Sequence, residues 1–526
     1  MRPQTLAPRR QNLAHGRVLL FDNGKLAHGG PLSTIFDIIG DRLQARFPDV
    51  DLLRRTQDLL QFDAAAIDDV VSEIASSAID GVVLAICDWG VSQPTALTAA
   101  GLESALVPCT IIATREGHRQ IQGTIGRLVP GLPVTGLDYD ELTSAAALVE
   151  QTRSSADRVI DGLISPGQDS TADLAADIRI PEWRTETGTL DLPESEASQA
   201  FTSMMAVSHL GDGLPLVAPT VGLVDEFCAA GGARHDELIW PAFPPRTSSV
   251  LAHDVAIVAV AAGCRPQWAP VVFAAFRAMG QDEFRLFQAA VTTYPGGTLV
   301  LVSGPNSHKF GFESGAGALG PGFAANATTG RAVALGYSFL LGAVPRGADF
   351  CHQSSPAKYS YCFAENISAS PWPGLHADLG FADRTTVTVL KCEGPHNVLD
   401  QRSDTAPQLL DTFSSSLTVL GANSSYVPQA QMILALNPMH ARKLNEWGWG
   451  KEEVRSYLFE TARNDPSSLL GRGIPPIPPR GGDSQLPQPV VSTPDDFLIA
   501  VAGAAGPASQ VILPWGFARA VTEPVP

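Results

Sequence analysis

Short apolar runs of the β type recur along the first 165 residues, at 17–21, 81–86 and 108–112, with a weaker one near 50–53. Between them lie stretches with helical spacing of apolar positions, near 33–45, 66–77 and 94–106, and a longer one over 140–164. Strands alternating with helices of this length imply βαβ units on a parallel sheet. The chain therefore reads as an α/β protein whose N-terminal domain, residues 1–165, is a doubly wound parallel sheet. Residues 166–198 are poor in apolar side chains and rich in acidic and small polar ones, the composition of a linker.

A larger mixed α/β domain is expected from 199 to 526. Its strands are predicted at 256–262, 298–303, 385–391, 432–436 and 497–502, and its helices at 221–230, 269–279, 328–340 and 451–462. The Pro-rich stretch 474–491 disfavours both helix and central strand. It reads as an arm onto a neighbouring subunit, so a homo-oligomer is expected, a dimer by default.

Composition narrows the function. Of 526 residues, Lys plus Arg make 36 and Asp plus Glu 54, a formal charge of −18, which argues against nucleic acid or an anionic membrane surface as partner. Apolar residues at 44% against 17% charged suffice for a large core. No apolar run approaches the roughly 18 residues of a membrane span. Seven cysteines form no CxxC pair, and with no secretory signal in view they read as reduced thiols of a cytoplasmic protein. No His, Cys or carboxylate pair has metal-ligand spacing, so no cofactor is expected, although distant residues converging on a metal are not excluded.

Candidate chemistry falls in two places. In a doubly wound sheet, ligands sit beyond the carboxyl ends of the strands. Those ends here carry Asp22, Asn23 and Lys25, then Asp88 and Ser92, then a polar loop over 114–118. In the larger domain, a Gly-rich loop with Ser314, Gly315 and Gly317 precedes Asn326, read as the N-cap of a helix starting at Ala327, an arrangement suited to an anion. The segment 358–372 gathers Lys358, Tyr359, Cys362, Glu365 and Asn366, side chains that transfer protons or act as nucleophiles when burial shifts their pKa. If 358–364 is a strand, Lys358, Ser360 and Cys362 share one face and Tyr359, Tyr361 and Phe363 the other. His440, just past a predicted strand, suits proton transfer near neutral pH. Cys264 beside Arg265 suggests a thiol of lowered pKa.

The stretches LLFDNGK (19–25) and GVVLAICDWGVS (81–92) resemble the UGSC-like domain, named for a selenocysteine- or cysteine-Gly-Ser-Cys motif after a strand. The larger domain resembles the C-terminal region that accompanies it in long bacterial proteins, through DGLPLVAPT (212–220), AGCRPQWAPVV (262–272), SGAGALGPGFAANATTGRA (314–332), KYSYCFAENISASPW (358–372), EGPHNV (393–398) and NPMHA (437–441). The resemblance implies a Rossmann- or flavodoxin-like N-terminal fold. It sets Trp89 and Ser92 where the family has its two chalcogens, leaving Gly90 of the motif. The expectation is a bacterial enzyme acting on a small anionic organic molecule by acid–base or nucleophilic chemistry, of lyase, hydratase or hydrolase type. Lys358, Tyr359, Cys362, Glu365 and His440 would be catalytic; the Gly-rich loop, Asn366, Cys264 and Arg265 would bind substrate. Two alternatives remain open: a ligand-binding or scaffold protein with a degenerate thiol domain, and a thiol-dependent oxidoreductase using Cys87 or Cys264.

Overall fold

The apolar runs of the N-terminal part become five parallel strands, β1 (Arg17–Asp22), β2 (Asp51–Thr56), β3 (Gly81–Cys87), β4 (Cys109–Thr114) and β5 (Val134–Leu137), in the order β2-β1-β3-β4-β5. The structure is a computed structural model that describes residues 5–26, 30–59, 64–88, 90–139, 143–165, 193–242, 248–345, 348–473 and 487–526. The central strands β3 and β4 are buried along their whole length because helices cover both faces. Helices α1 (Ile35–Arg46) and α5 (Ala145–Ile164) pack Ile39, Leu43, Val159 and Ile160 against Leu20, Val83 and Ile112. On the other face, α2 (Ala64–Ser76), α3 (Ser92–Ser104) and α4 (Arg115–Leu128) meet Leu19, Phe21, Leu84 and Ile111. The doubly wound sheet read from the alternation is the one found. The order reverses between β1 and β3, which makes their carboxyl ends the topological switch point.

The 114–118 stretch, expected as a loop, is the start of α4. Thr114 caps it, its hydroxyl accepting from the Gly117 amide at 3.0 Å. Of the expected linker, residues 166–192 lie outside the described residues, whereas 194–198 begin α6 (Glu194–Val207).

From residue 193 onward the chain builds four layers. Helices α6 and α7 (Val221–Ala230), the short pair β6 (Leu238–Trp240) and β7 (Val250–Leu251), and α8 (Ala252–Ala262), α9 (Ala269–Met279) and α10 (Leu286–Val291) come first. Then follow β8 (Gly297–Ser303), α11 (Ala324–Leu341), β9 (Cys362–Ala364), α12 (Leu375–Asp378), β10 (Thr386–Cys392) and β11 (His396–Leu399). Next are α13 (Ala406–Leu417), β12 (Met432–Leu436), α14 (Pro438–Glu446), α15 (Lys451–Thr461), β13 (Arg463–Asn464) and α16 (Pro466–Leu469). The chain ends with β14 (Gln488–Pro489), β15 (Phe497–Val501), β16 (Ala508–Ile512) and β17 (Val521–Pro524).

One sheet runs β17-β10-β8-β9 and the other β11-β16-β12-β15. Strand alternation sends Leu299, Leu301, Phe363 and Leu390 of the first sheet toward Ile433, Leu498 and Ile512 of the second, forming a shared apolar layer. The opposite face of the first sheet, Val300, Val302, Val387 and Val389, packs on α8, α9 and α11. The opposite face of the second, Leu434, Ile499 and Val511, packs on α13, α14 and α15.

The run 256–262, expected as a strand, lies in helix α8 instead. It is apolar on every side because the helices around it bury Val255, Val258, Ala259 and Val260 alike, so no helical stripe marks it. Its alanines favour helix, and the Asp254 carboxylate accepts the Leu251 amide at 2.9 Å. Residues 474–486 of the expected arm lie outside the described residues. The remainder pairs within its own chain: Asn464 stands opposite Gln488, the Val490 amide donates to Ala462, and Val490 and Val491 are core residues. Among the described residues, no helix is long and apolar enough to cross a membrane.

Candidate active site

Antiparallel pairing of β8 with β10 sets Lys391 opposite Thr298 near one end of the first sheet. Parity along β10 turns Lys391 to the same face as Val387 and Val389, toward the α8–α9–α11 layer. There its ammonium lies 5.0 Å from the centroid of the Tyr337 ring on α11. The Tyr337 hydroxyl is 2.6 Å from the Thr298 hydroxyl. All three residues line a cavity of about 530 Å³, together with Lys358, Tyr359 and Asp349, a size typical of sites for small organic molecules.

The electrostatics of this cavity are unusual for lysine. Lys391 is 3% exposed. Burial, and after it the nearby Lys358 ammonium, lower its amine to about 8, with Asp349 opposing. Asp349 is already taken by Lys358, whose ammonium it meets at 2.6 Å. Burial raises the Tyr337 phenol, which stays protonated at neutral pH and can donate. The cavity thus offers two ammonium groups against one carboxylate, Asp349, which Lys358 engages; the second lining carboxylate, Asp212, is neutralised by Arg331 at 2.7 Å. It is suited to an anion and supplies an amine and a phenol for proton transfer or nucleophilic attack.

The sequence-predicted residues distribute over several places. Lys358 and Tyr359 stand at this cavity, in a 3-10 turn capped by Ser355 and the residue after it rather than in a strand. The strand begins only at Cys362, where the expected alternation holds: Tyr361 and Phe363 face the second sheet, and Cys362 faces the helices. Burial raises the Cys362 thiol, as it does Cys264, which is pushed up to about 12. Arg265 therefore does not activate Cys264; its guanidinium lies over the Trp268 ring, 5.7 Å from the centroid.

Glu365 sits at the far end of β8, away from Lys391. One of its oxygens accepts from the Ser303 hydroxyl and from the Leu375 amide at 2.8 Å; the other is buried without a hydrogen-bond partner. Burial raises its carboxyl. Ser303 also lies 2.9 Å from Nδ1 of His376. In this cluster the hydroxyl stands between carboxylate and imidazole, so the imidazole is not placed to relay between the other two. Asn366 is spent on backbone: its amide donates to Val501 and its side chain to Gly503.

His440 is in neither place. It is fully buried on α14 beside Phe413, with Nε2 at 2.7 Å from the Asp400 carbonyl and Nδ1 at 2.8 Å from the Ser509 hydroxyl. It lies in the helical layer over the second sheet, whereas Lys358 serves the layer over the first. A shared site of Lys358, Tyr359, Glu365 and His440 is not formed.

The Gly-rich loop also differs from expectation. The helix begins at Ala324, so Asn326 lies within its first turn rather than capping it. Its side chain accepts from the Glu313 amide at 2.9 Å and donates to the carbonyls of Glu313 and Ala318. The amides of Ser314 and Gly315 already donate to the Glu313 carboxylate, at 3.1 and 2.6 Å. The loop supplies its own anion. Gly317 serves the turn, with φ of 77°.

At the switch point the residues at the strand ends are joined by hydrogen bonds and one ion pair. The Asp22 carboxylate accepts the amides of Gly24 and Leu26, and Asn23 donates to Ile86 and Thr95. Lys25 approaches Asp88 at 3.7 Å, and Thr114 donates to Asp88 at 3.0 Å. The Ser92 hydroxyl donates to the Asp88 carbonyl at 2.7 Å. Trp89 lies outside the described residues. Cys87 is wholly buried below the crevice and burial raises its thiol, the opposite of an activated nucleophile. Among the described residues, no group of three or more His, Cys, Asp or Glu side chains could hold a metal ion.

Sequence reasoning missed Lys391, Tyr337 and Thr298. The one signal in the chain is a lysine inside the apolar strand run TVTVLKC. No family model, no curated protein and no solved structure matches the chain.

Proposed function

We propose that the chain is an enzyme acting on a small anionic organic molecule by acid–base or nucleophilic chemistry, of lyase, hydratase or hydrolase type, in the cavity around Lys391. The observation that carries this reading is a buried lysine amine, lowered to about 8, facing a cavity of about 530 Å³ beside a second ammonium. Perturbed titratable groups in a cleft are the physical mark of catalytic sites. The buried state of Cys87 and Cys264 favours this amine-based reading over a thiol-dependent oxidoreductase. We propose further that the N-terminal domain is related to the UGSC-like domain through residues 19–25 and 81–92, without its dithiol chemistry.

The test is binding of simple carboxylates, propanoate and benzoate, to the full chain by calorimetry. Binding to the parent, weakened at least tenfold in both Lys391→Met and Lys358→Met, supports the reading. Equal binding by parent and both variants, or none by the parent, overturns it.

A further inference from the structure

We infer that Lys391 forms a Schiff base with the carbonyl group of a small oxo acid, whose carboxylate is held by Lys358. This rests on the proposed function above and names its substrate class. Three features of the geometry point the same way.

First, Lys391 is held on the inner strand β10, between β8 and β17, so its amine is fixed against a rigid sheet rather than swinging on a loop. Second, the polar groups beside it match the needs of carbonyl addition. Tyr337 and Thr298 are both hydroxyls, joined to each other, on the cavity wall that Lys391 shares. Third, Lys358 enters the same cavity with an ammonium that has three N–H groups, and Asp349 engages it at 2.6 Å without exhausting them. A molecule with one carbonyl and one carboxylate fits two amines of unequal role.

The amine must be neutral to attack. The charged and titratable groups facing it are Lys358, Asp349, Cys351, Cys392 and Tyr337. With its pKa near 8, about a tenth of molecules carry the free amine at pH 7, against well under a thousandth for an ordinary lysine near 10.4. Burial beside a second cation is a known way to activate a lysine for this chemistry.

The step balances without a further reagent. The Nζ lone pair forms a bond to the carbonyl carbon while the C=O π pair moves to oxygen, which takes a proton from the Tyr337 phenol. Nζ releases one proton, which restores Tyr337, and gives a carbinolamine. The C–O bond then breaks, the oxygen leaves as water with a second proton from the Tyr337 phenol, whose phenolate balances the iminium charge, and the nitrogen lone pair closes the C=N bond. The resulting iminium is an electron sink for breaking a neighbouring C–C or C–H bond, which is lyase chemistry.

The experiment treats the full chain with pyruvate and sodium borohydride and reads intact mass and peptide maps. The expected result is one adduct of pyruvate mass less one oxygen atom, mapped to Lys391 and lost in both Lys391→Met and Lys391→Arg. Lys358→Met should slow labelling by uncharged acetone, because the Lys358 ammonium helps to lower the Lys391 amine, and should slow labelling by pyruvate at least tenfold more than that. Adducts spread over surface lysines with Lys391 unmodified, or no adduct at all, overturn the inference. If Lys391 is unlabelled but the propanoate and benzoate binding still depends on Lys391 and Lys358, the Schiff base alone fails. If that binding is also absent, the underlying reading fails with it.

Discussion

The ammonium of Lys391 stands 5.0 Å from the centre of the Tyr337 ring, a strand residue set against a helix residue 54 positions earlier in the chain. Nothing in its own segment marks Tyr337, and Lys391 is marked only as a lysine in an apolar strand. Their meeting depends on α11 lying across the β8–β10 pair, with Thr298 directly opposite Lys391 in the ladder and bonded to Tyr337. The sheet fixes the amine, the helix supplies the phenol, and the turn at 356–358 closes the cavity with Lys358.

Replacing Lys391 should separate activity from stability. Lys391→Met keeps an unbranched side chain one atom shorter and removes a desolvated charge, a change that is neutral or stabilising when the charge has no buried partner of its own. The thermal midpoint of the variant should match or exceed that of the parent. Turnover of an oxo acid that labels the parent should fall by about two orders of magnitude or more. A variant that unfolds at much lower temperature with turnover per folded molecule intact would place Lys391 in the structural scaffold.

Asn326 should matter for stability and not for anion binding. Removing its amide strands the Glu313 amide and the Ala318 carbonyl and leaves the Glu313 carbonyl with the Ala364 amide alone, in a region where the side chain is 2% exposed. Leaving such groups unpaired costs about 1–3 kcal/mol each before water relieves part of it. Asn326→Ala should therefore lose about 2–4 kcal/mol in urea denaturation, with propanoate binding to the folded variant unchanged.

Strands such as β3 and β4 were legible because a sheet covered on both faces needs unbroken apolar runs, which 81–86 and 108–112 supply. Helix α4 was not. Its segment is polar and carries three glycines, and the apolar residues it turns inward are Ile121, Ile125 and Leu128, beside the buried polar Gln120 and Thr124. One of those glycines is demanded by packing: a Cβ on Gly117 would come 1.9 Å from the Cys87 carbonyl oxygen. Helix α8 hid for the opposite reason, being apolar all round. At the candidate site, Lys358 and Tyr359 were legible as a dense polar-aromatic cluster. Lys391 was not, because its burial is conferred by α11 and not by its neighbours in sequence. The pairing of Glu365 with Ser303 and His376 was equally hidden, since chain separations of 62 and 73 residues leave no local trace.

A buried ion pair in the N-terminal domain gives a third prediction. Arg9 and Glu103 meet at 2.7 Å with side chains 2% and 0% exposed, and the same carboxylate accepts the amides of Ala7 and Cys109. Glu103→Ala leaves a buried guanidinium without its counter-charge, held by backbone carbonyls alone, and two buried amides without their acceptor. Breaking one half of such a pair costs about 3–5 kcal/mol. The variant should lower the urea midpoint by a corresponding amount, and Arg9→Met combined with Glu103→Ala should recover part of the loss. Equal stability of Glu103→Ala and the parent would contradict the geometry.

The last prediction is a pH dependence with two opposed parts. Burial lowers His440 below its ordinary value, against the opposing pull of Asp400. Its Nε2 faces a carbonyl that can only accept, so Nε2 carries the proton and Nδ1 accepts from Ser509 or Asn437. A second proton on Nδ1 would face the Asn437 amide. The unfolded chain thus binds the proton first as pH falls below about 6.5, so stability is lost from there downward. Glu365 acts in the other direction. Burial raises its carboxyl above the ordinary value near 4.3, so the folded state holds the proton longer and stability is lost as pH rises from about 4.3 through the raised value. Glu365→Gln keeps an acceptor for Ser303 and Leu375 and removes the titration. It should match or exceed the parent at pH 7, and its advantage should shrink as pH falls toward 4. His440→Gln keeps a donor toward Asp400; the variant should be less stable than the parent at pH 8, and the gap should narrow between pH 6.5 and 5. Urea denaturation of the three proteins across pH 4.5–8 reads both slopes. A gap between parent and His440→Gln that widens on acidification would mean that the fold prefers the charged imidazole, contrary to the lowering of His440 by burial.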